Sequence, residues 1–148
     1  MKPQPTKPAK PILSTELRQL VESKLRINLE GIEETLKQIF EAQELSLEAV
    51  KLTLQSVEES FTLLSQKWNL QILYILFLRT DMGFGELKRI LGINSRTLSD
   101  KLKTLNQYGY IRRSVDEGPP LRVRYVLTSH GRKTILLALP LLYYVTSS

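Results

Sequence analysis

A chain of 148 residues, of which 42% are hydrophobic, is long enough for one domain with a real core plus an extension, so disorder throughout is excluded. The net charge of +6 is uneven: residues 1–65 carry eight Lys/Arg and ten Asp/Glu (net −2), whereas residues 66–148 carry thirteen and five (net +8). The absence of cysteine and the single histidine exclude disulfides, thiol redox sensing and thiolate or histidine metal clusters, and we expect no metal and no cofactor. The basic C-terminal half indicates a polyanionic partner, for which DNA and an anionic membrane surface are the alternatives.

Two segments bear on targeting and on membranes. Residues 1–11 contain four prolines and three lysines without an apolar core, which predicts a disordered, basic, Pro-rich tail rather than a signal peptide. The longest apolar run, Ile135–Val145, is well short of the ~20 residues that a membrane span needs. We therefore expect a soluble cytoplasmic protein, associated with the nucleoid and not with a membrane.

Residues 12–65 are predicted to form a long helical, coiled-coil-like extension, because they contain no proline and their apolar residues recur in steps of three and four. The sequence predicts one continuous apolar seam, formed by Leu47, Val50, Leu54, Val57, Phe61, Leu64, Trp68, Ile72 and Ile75.

This seam has two possible uses: an intramolecular helical hairpin, or pairing with a second copy of the chain. We favour dimerisation, because the seam is longer than a small C-terminal domain can cover. The predicted dimer contacts are Leu36, Ile39, Leu47, Val50, Leu54, Val57 and Phe61, with Leu139, Leu142 and Tyr143 from the apolar C-terminal helix.

Residues 66–148 begin with the pattern of a helix-turn-helix. A strongly apolar helix over Trp68–Leu78 is followed by a loop at Arg79–Gly83, a short helix at Phe84–Leu91 and a turn at Gly92–Asn94. The next helix opens at Ser95.

In that helix, Leu98, Leu102 and Leu105 stand at i, i+4 and i+7 and predict one buried stripe. Asn94 or Ser95 is expected to cap its start, and Gly109 to end it in a left-handed conformation.

After Gly109 the apolar period changes from 3.6 to 2, which predicts a β-hairpin. Its strands are Tyr110–Val115 and Leu121–Leu127, joined by a tight loop, and the alternation places Arg122 and Arg124 with Val126 on one face. Thr128 is expected to cap a final helix over Ser129–Tyr144, which Pro140 should kink. The predicted fold is mainly α with a small β-hairpin wing: a winged helix-turn-helix domain at 66–148 behind the helical extension.

Several pieces between about residues 66 and 139 stand in a characteristic order and spacing: Lys67-Trp68, Ile72-Leu73, Phe84–Leu91, Gly92–Ser99, Leu102-Lys-Thr-Leu105, Gly109–Ile111, the Pro-bearing wing, and Arg124–Thr128 followed by Gly131. In these pieces the chain resembles the HxlR family of winged helix-turn-helix transcriptional regulators, relatives of the MarR group. The chain differs in having no cysteine shortly before its tryptophan, so thiol sensing is not carried over, and in the roughly sixty residues before that tryptophan.

The resemblance implies a homodimer that binds double-stranded DNA, with the helix from Ser95 in the major groove and the wing on the backbone or in the minor groove. We expect no enzyme, because convergent carboxylates, an activated nucleophile and a phosphate cradle are all missing. A non-specific architectural DNA-binding protein and a winged-helix protein-interaction module remain alternatives, and a small-molecule effector of unidentified chemistry stays open. The predicted DNA contacts are Asn94, Ser95, Arg96, Thr97, Ser99, Lys103, Lys88, Arg89, Arg112, Arg122 and Arg124.

Overall fold

The computed structural model describes residues 15–43 and 46–147; the predicted tail at 1–11 lies outside these residues. The described chain is mainly helical, as predicted, and the predicted β-hairpin is part of a small three-stranded antiparallel sheet. Its elements are α1 (Thr15–Gln43), α2 (Leu47–Ser65), α3 (Asn69–Leu78), β1 (Met82–Gly83), α4 (Phe84–Leu91), α5 (Ser95–Gln107), β2 (Ile111–Asp116), β3 (Arg122–Leu127) and α6 (Ser129–Ser147).

The described residues fall into two compact units. Those up to Val50 form one unit with those from Tyr143 onward, and Lys51–Leu142 forms the other. The second unit contains α3, α4, α5 and the sheet, and it carries the hydrophobic core. The fully or almost fully buried apolar residues of that core are Ile72, Leu73, Leu76, Met82, Leu87, Ile93, Leu98, Leu102, Leu105, Tyr110, Ile111 and Ile135.

The prediction of one continuous apolar seam is wrong, because the helix breaks between Ser65 and Asn69. Trp68 adopts a left-handed conformation (φ 80°) and precedes α3 instead of opening it. The carboxamide of the fully buried Asn69 donates a hydrogen bond of 2.7 Å from Nδ2 to the Leu63 carbonyl in the last turns of α2. Such side-chain bonds compete with helical hydrogen bonding, so the chain turns here although no glycine or proline is present.

The predicted loop at Arg79–Gly83 contains a short strand that the sequence pattern did not reveal. Met82 and Gly83 form β1 and pair with Tyr125 and Arg124, so the strand order is β1-β3-β2 with β3 in the centre. Two residues are too few for an alternating pattern, which explains why β1 escaped prediction.

The final helix begins as predicted. Thr128 links the first turn of this helix to the residues just before β2. Its Oγ1 accepts a hydrogen bond from the Gly131 N–H at 3.0 Å. Its hydroxyl donates to the Gly109 carbonyl at 2.5 Å, with the Tyr110 carbonyl as a second, longer acceptor at 3.1 Å. The helix α6 is continuous past Pro140 and ends at Ser147, beyond the predicted Tyr144. His130 is exposed and stacks on Tyr110, with ring centroids 4.8 Å apart.

Candidate nucleic-acid interface

The helix α5 has one buried side and one exposed side. Leu98, Leu102 and Leu105 are 0–2% exposed, which confirms the predicted stripe. Because these residues occupy a single side of the helix, the side chains opposite them face away from the core. The exposed residues on that side include Arg96, Ser99, Asp100 and Lys103.

The turn before α5 is held by backbone geometry and by a cap. Gly92 has φ 64°, a conformation that favours glycine, and its N–H donates to the Lys88 carbonyl at 3.0 Å. Ile93 is buried and anchors the turn, and the Oδ1 of Asn94 accepts a hydrogen bond of 2.8 Å from the Thr97 N–H. Asn94, rather than Ser95, is therefore the N-cap, and its carboxamide oxygen is engaged in an intramolecular hydrogen bond.

Two cations lie along the exposed side of α5. Arg96 and Lys103 are seven residues apart, which is two turns or roughly 10.5 Å along the helix axis. Among the described residues, the guanidinium of Arg96 makes no salt bridge, so its planar fork of donors is available to a partner.

The register of the hairpin determines on which face of the sheet each wing side chain lies. Arg112 lies opposite Val126, and Asp116 opposite Arg122. Directly opposed residues of an antiparallel pair share a face, so Arg112, Arg122 and Arg124 lie on one face, while the buried Ile111 lies with Leu127 on the other. Arg112 and Arg122 are exposed, and the hairpin therefore presents two cations on the side of the sheet away from the core.

Arg124 differs from the other wing arginines. Its Nη1 lies 3.0 Å from Asp81 Oδ1 and 4.0 Å from Glu86 Oε1, and its side chain is 29% exposed. Neither carboxylate could be predicted from the sequence pattern, because the approach of Asp81 depends on the pairing of β1 with β3. That Arg124 contacts DNA stays a prediction.

The remaining predicted DNA contacts lie nearby in the chain. Lys88 and Arg89 are exposed in the last turn of α4, immediately before the Gly92 turn. Ser95 is exposed at the start of α5, whereas Thr97 is half-buried and its N–H is taken up by the Asn94 cap.

The predicted dimer contacts are distributed over three helices. On α2, Leu47, Leu54, Val57 and Phe61 are 54–88% exposed, and Val50 is half-buried. On α1, Leu36 and Ile39 are exposed. On α6, Leu139 packs against the core of the second unit, Leu142 is 37% exposed and Tyr143 is half-buried.

The described residues contain neither a metal-binding cluster nor a membrane-spanning helix. Nowhere in 15–43 and 46–147 do three or more His, Cys, Asp or Glu side chains group in a way that could hold a metal ion. None of the helices in these ranges is both long enough and apolar enough to span a membrane.

The helix α3, the pair α4 and α5 joined by the Gly92 turn, and the hairpin of β2 and β3 together define a winged helix-turn-helix protein. A family model described as HxlR-like helix-turn-helix matches residues 63–144, more than half of the sequence. The chain belongs to the HxlR-like helix-turn-helix family and is thereby a DNA-binding regulator of transcription.

Individual relatives agree with this assignment. The uncharacterized HTH-type transcriptional regulator YdzF of Bacillus subtilis is 41% identical over 76 residues, covering 51% of this chain and 70% of that protein. The reduced form of the B. subtilis transcriptional regulator YodB superposes with a TM-score of 0.56 at 27% identity, over 60% of this chain and 87% of that one. The oxidized form of the redox regulator HypR also gives a TM-score of 0.56, at 28% identity, over 63% and 96% of the two chains.

Proposed function

We propose that this protein is a sequence-specific regulator that binds a pseudo-palindromic DNA site as a homodimer in the cytoplasm, at the nucleoid. Two copies of α5 enter successive major grooves, roughly 34 Å apart. The exposed wing arginines, Arg112 and Arg122, lie on the backbone or in the minor groove.

The observation that carries the proposal is the two-sided construction of α5. Its leucine side is completely buried, so the opposite side, with Arg96, Ser99 and Lys103, is held outward in a fixed orientation. Arg96 lies in the first turn, where helix-turn-helix proteins contact base edges, and its fork matches the O6 and N7 acceptors of guanine. Lys103, two turns further along, is placed for a phosphate. Ser95 and Ser99 add hydroxyl groups for either kind of contact, while Lys88 and Arg89 on α4 supply further phosphate contacts.

Dimerisation is supported by the apolar side chains on α2. Leu54, Val57 and Phe61 recur at coiled-coil spacing and are each more than half exposed. An apolar stripe of this length in water is typical of an interface, and a second copy of the chain supplies a matching stripe.

The proposal is tested by selecting bound fragments from a random pool of duplexes and measuring the affinity of the selected site. We expect a symmetric site with two half-sites about one helical turn apart. Unlabelled selected site should displace the labelled duplex efficiently, whereas the same concentration of unrelated DNA should displace little of it. Failure to enrich any sequence while binding all duplexes equally would favour an architectural protein. Failure to bind any duplex at low salt would favour a protein-interaction module.

Arg96→Ala tests the role of the recognition helix. Loss of a bidentate guanine contact should cost about 1–3 kcal/mol on the selected site and relax the preference at one base pair per half-site. Lys51→Ala removes an exposed cation from α2 and is the charge-matched control, for which we expect unchanged affinity. If Arg96→Ala lost equal affinity on selected and random duplexes, Arg96 would not contact a base edge.

A further inference from the structure

The guanidinium of Arg124 sits where three elements of the winged domain meet. Arg124 lies on the central strand β3, Asp81 directly precedes β1, and Glu86 belongs to the first turn of α4. Gly83 is the residue opposite Arg124 on β1 and has no side chain; a β-carbon there would lie 3.7 Å from Glu86 Oε1. Because Gly83 has no side chain, the side of β1 next to Arg124 is occupied by the Glu86 carboxylate and the Arg124 guanidinium.

The charges around Arg124 make it a poor phosphate ligand. One cation is shared by two carboxylates, so the cluster carries a net charge of −1. The carboxylates are 46% and 48% exposed, whereas Arg124 is only 29% exposed, so an approaching phosphate would meet more anion than cation. By contrast, Arg112 and Arg122 are exposed on the same face of the sheet.

The cluster also contributes little to overall stability. Partly exposed ion pairs are typically worth about 0–1 kcal/mol. What distinguishes the cluster is that it joins residues far apart in the sequence, since Asp81 and Arg124 are 43 residues apart. The Arg124 guanidinium is hydrogen-bonded to the loop before β1 and lies 4.0 Å from a carboxylate in the first turn of α4. It therefore links the strand that carries the wing to the helix that leads into α5.

We propose that Arg124 is a positioning residue: through Asp81 and Glu86 it holds the wing at a fixed angle to the helix-turn-helix, and it does not itself bind DNA. This inference rests on the proposed function, because the wing angle matters for the protein's activity only if wing and α5 engage one duplex together.

The first test compares the two partners of the ion pair on the selected duplex. If Arg124 positions the wing, Asp81→Ala weakens DNA binding although it removes a negative charge. Arg124→Ala gives a similar loss, and the double variant is no weaker than either single variant. We expect roughly two- to fivefold losses, the factor that corresponds to an ion pair worth up to about 1 kcal/mol. The exchanged variant Asp81→Arg with Arg124→Asp should regain affinity.

A direct phosphate contact by Arg124 predicts the opposite result for Asp81. Asp81→Ala would then leave affinity unchanged or raise it. Arg124→Ala would reduce the magnitude of the slope of log affinity against log salt by about 0.9 per lost phosphate contact, or about 1.8 for the dimer. Arg122→Ala serves as the reference for such a contact, since we expect it to reduce the slope. Either result for the Asp81 and Arg124 variants would overturn the inference.

The second test measures the wing angle without DNA. The chain has no cysteine, so spin labels can be attached at Gln107→Cys at the end of α5 and Glu117→Cys at the tip of the wing, both exposed. Labelled chains are diluted with unlabelled protein so that distances within one copy dominate. We expect the distance distribution to broaden or shift with Asp81→Ala and Arg124→Ala, and to stay unchanged with Arg122→Ala.

An unchanged distribution in all three variants would refute the positioning role even if DNA affinity falls. Asp81→Asn provides the same comparison if Asp81→Ala melts at a lower temperature than the wild type. The two proposals fail in different ways. If the wild-type chain selects no duplex, the proposed function fails. If the wild type binds and Asp81→Ala binds at least as tightly, the positioning role alone fails.

Discussion

The substitution Gly131→Ala tests the packing of α6 against the start of the wing. A β-carbon at this position would lie 1.9 Å from the carbonyl oxygen of Tyr110, well inside the 3.0 Å below which real β-carbons essentially never approach another atom. It would also lie 3.2 Å from Leu127 Cδ2. The nearest atom belongs to the backbone, so a rotamer change cannot relieve the clash.

The expected cost follows from three contributions. Overpacking of this kind costs about 1–3 kcal/mol. The Tyr110 carbonyl accepts a hydrogen bond from the Thr128 N–H at 3.1 Å, and its displacement endangers this bond, at about 1 kcal/mol. Alanine regains about 1 kcal/mol over glycine in a helix. The free energy of unfolding should therefore fall by about 1–3 kcal/mol.

Thermal denaturation followed by circular dichroism measures this effect at a fixed protein concentration. We expect Tm to fall by roughly 3–12 °C. Gly85→Ala is the matched control, because Gly85 lies in α4 with nothing within 4 Å of its would-be β-carbon. The control should melt at the wild-type temperature or above it. If Gly131→Ala melted together with Gly85→Ala, the Tyr110 backbone would have yielded freely and the reasoning would be wrong.

Two further predictions concern the cap and the dimer. Asn94→Ala should lower the free energy of unfolding in urea by about 1 kcal/mol, because the Thr97 N–H loses its acceptor, whereas Asn94→Asp should retain most of the stability; equal loss in both variants would show that the cap bond is unimportant. Phe61→Glu should convert the dimer to a monomer in light scattering at micromolar concentration, because it places a charge in the apolar stripe of α2, while Gln55→Glu, beside that stripe, should remain dimeric. The same mass for both variants would contradict the proposed interface.

The regular elements of the winged domain could be predicted because each carries its own local signal. The leucines of α5 repeat with the helical period, and all three prove to be buried. Thr128 was identified as a cap from its position before an apolar helix, and it accepts the expected bond from Gly131. Such features depend on neighbours in the sequence, which a periodic pattern records.

The features that escaped prediction depend on contacts between distant residues. The break at Trp68 is produced by a bond from Asn69 to Leu63, and the helical periodicity of the apolar residues continues straight through it. The alternation along β3 placed Arg124 on the correct face, but only the pairing of β1 with β3 brings Asp81 within 3.0 Å of it. A pattern can therefore assign a side chain to a face without identifying the residue that it meets there.

The strand β2 is an edge of the sheet, since within the described chain it pairs with β3 alone. The unpaired N–H and C=O groups on such an edge are a template for the strands of other molecules, and charged side chains are a common protection against this aggregation. Three of the six residues of β2 are charged: Arg112, Arg113 and Asp116. Replacing Arg112 or Arg113 with a neutral residue thus removes a cation that could contact DNA and also weakens the protection of this edge against aggregation. Any variant at these positions has to be shown monodisperse before its DNA binding is interpreted.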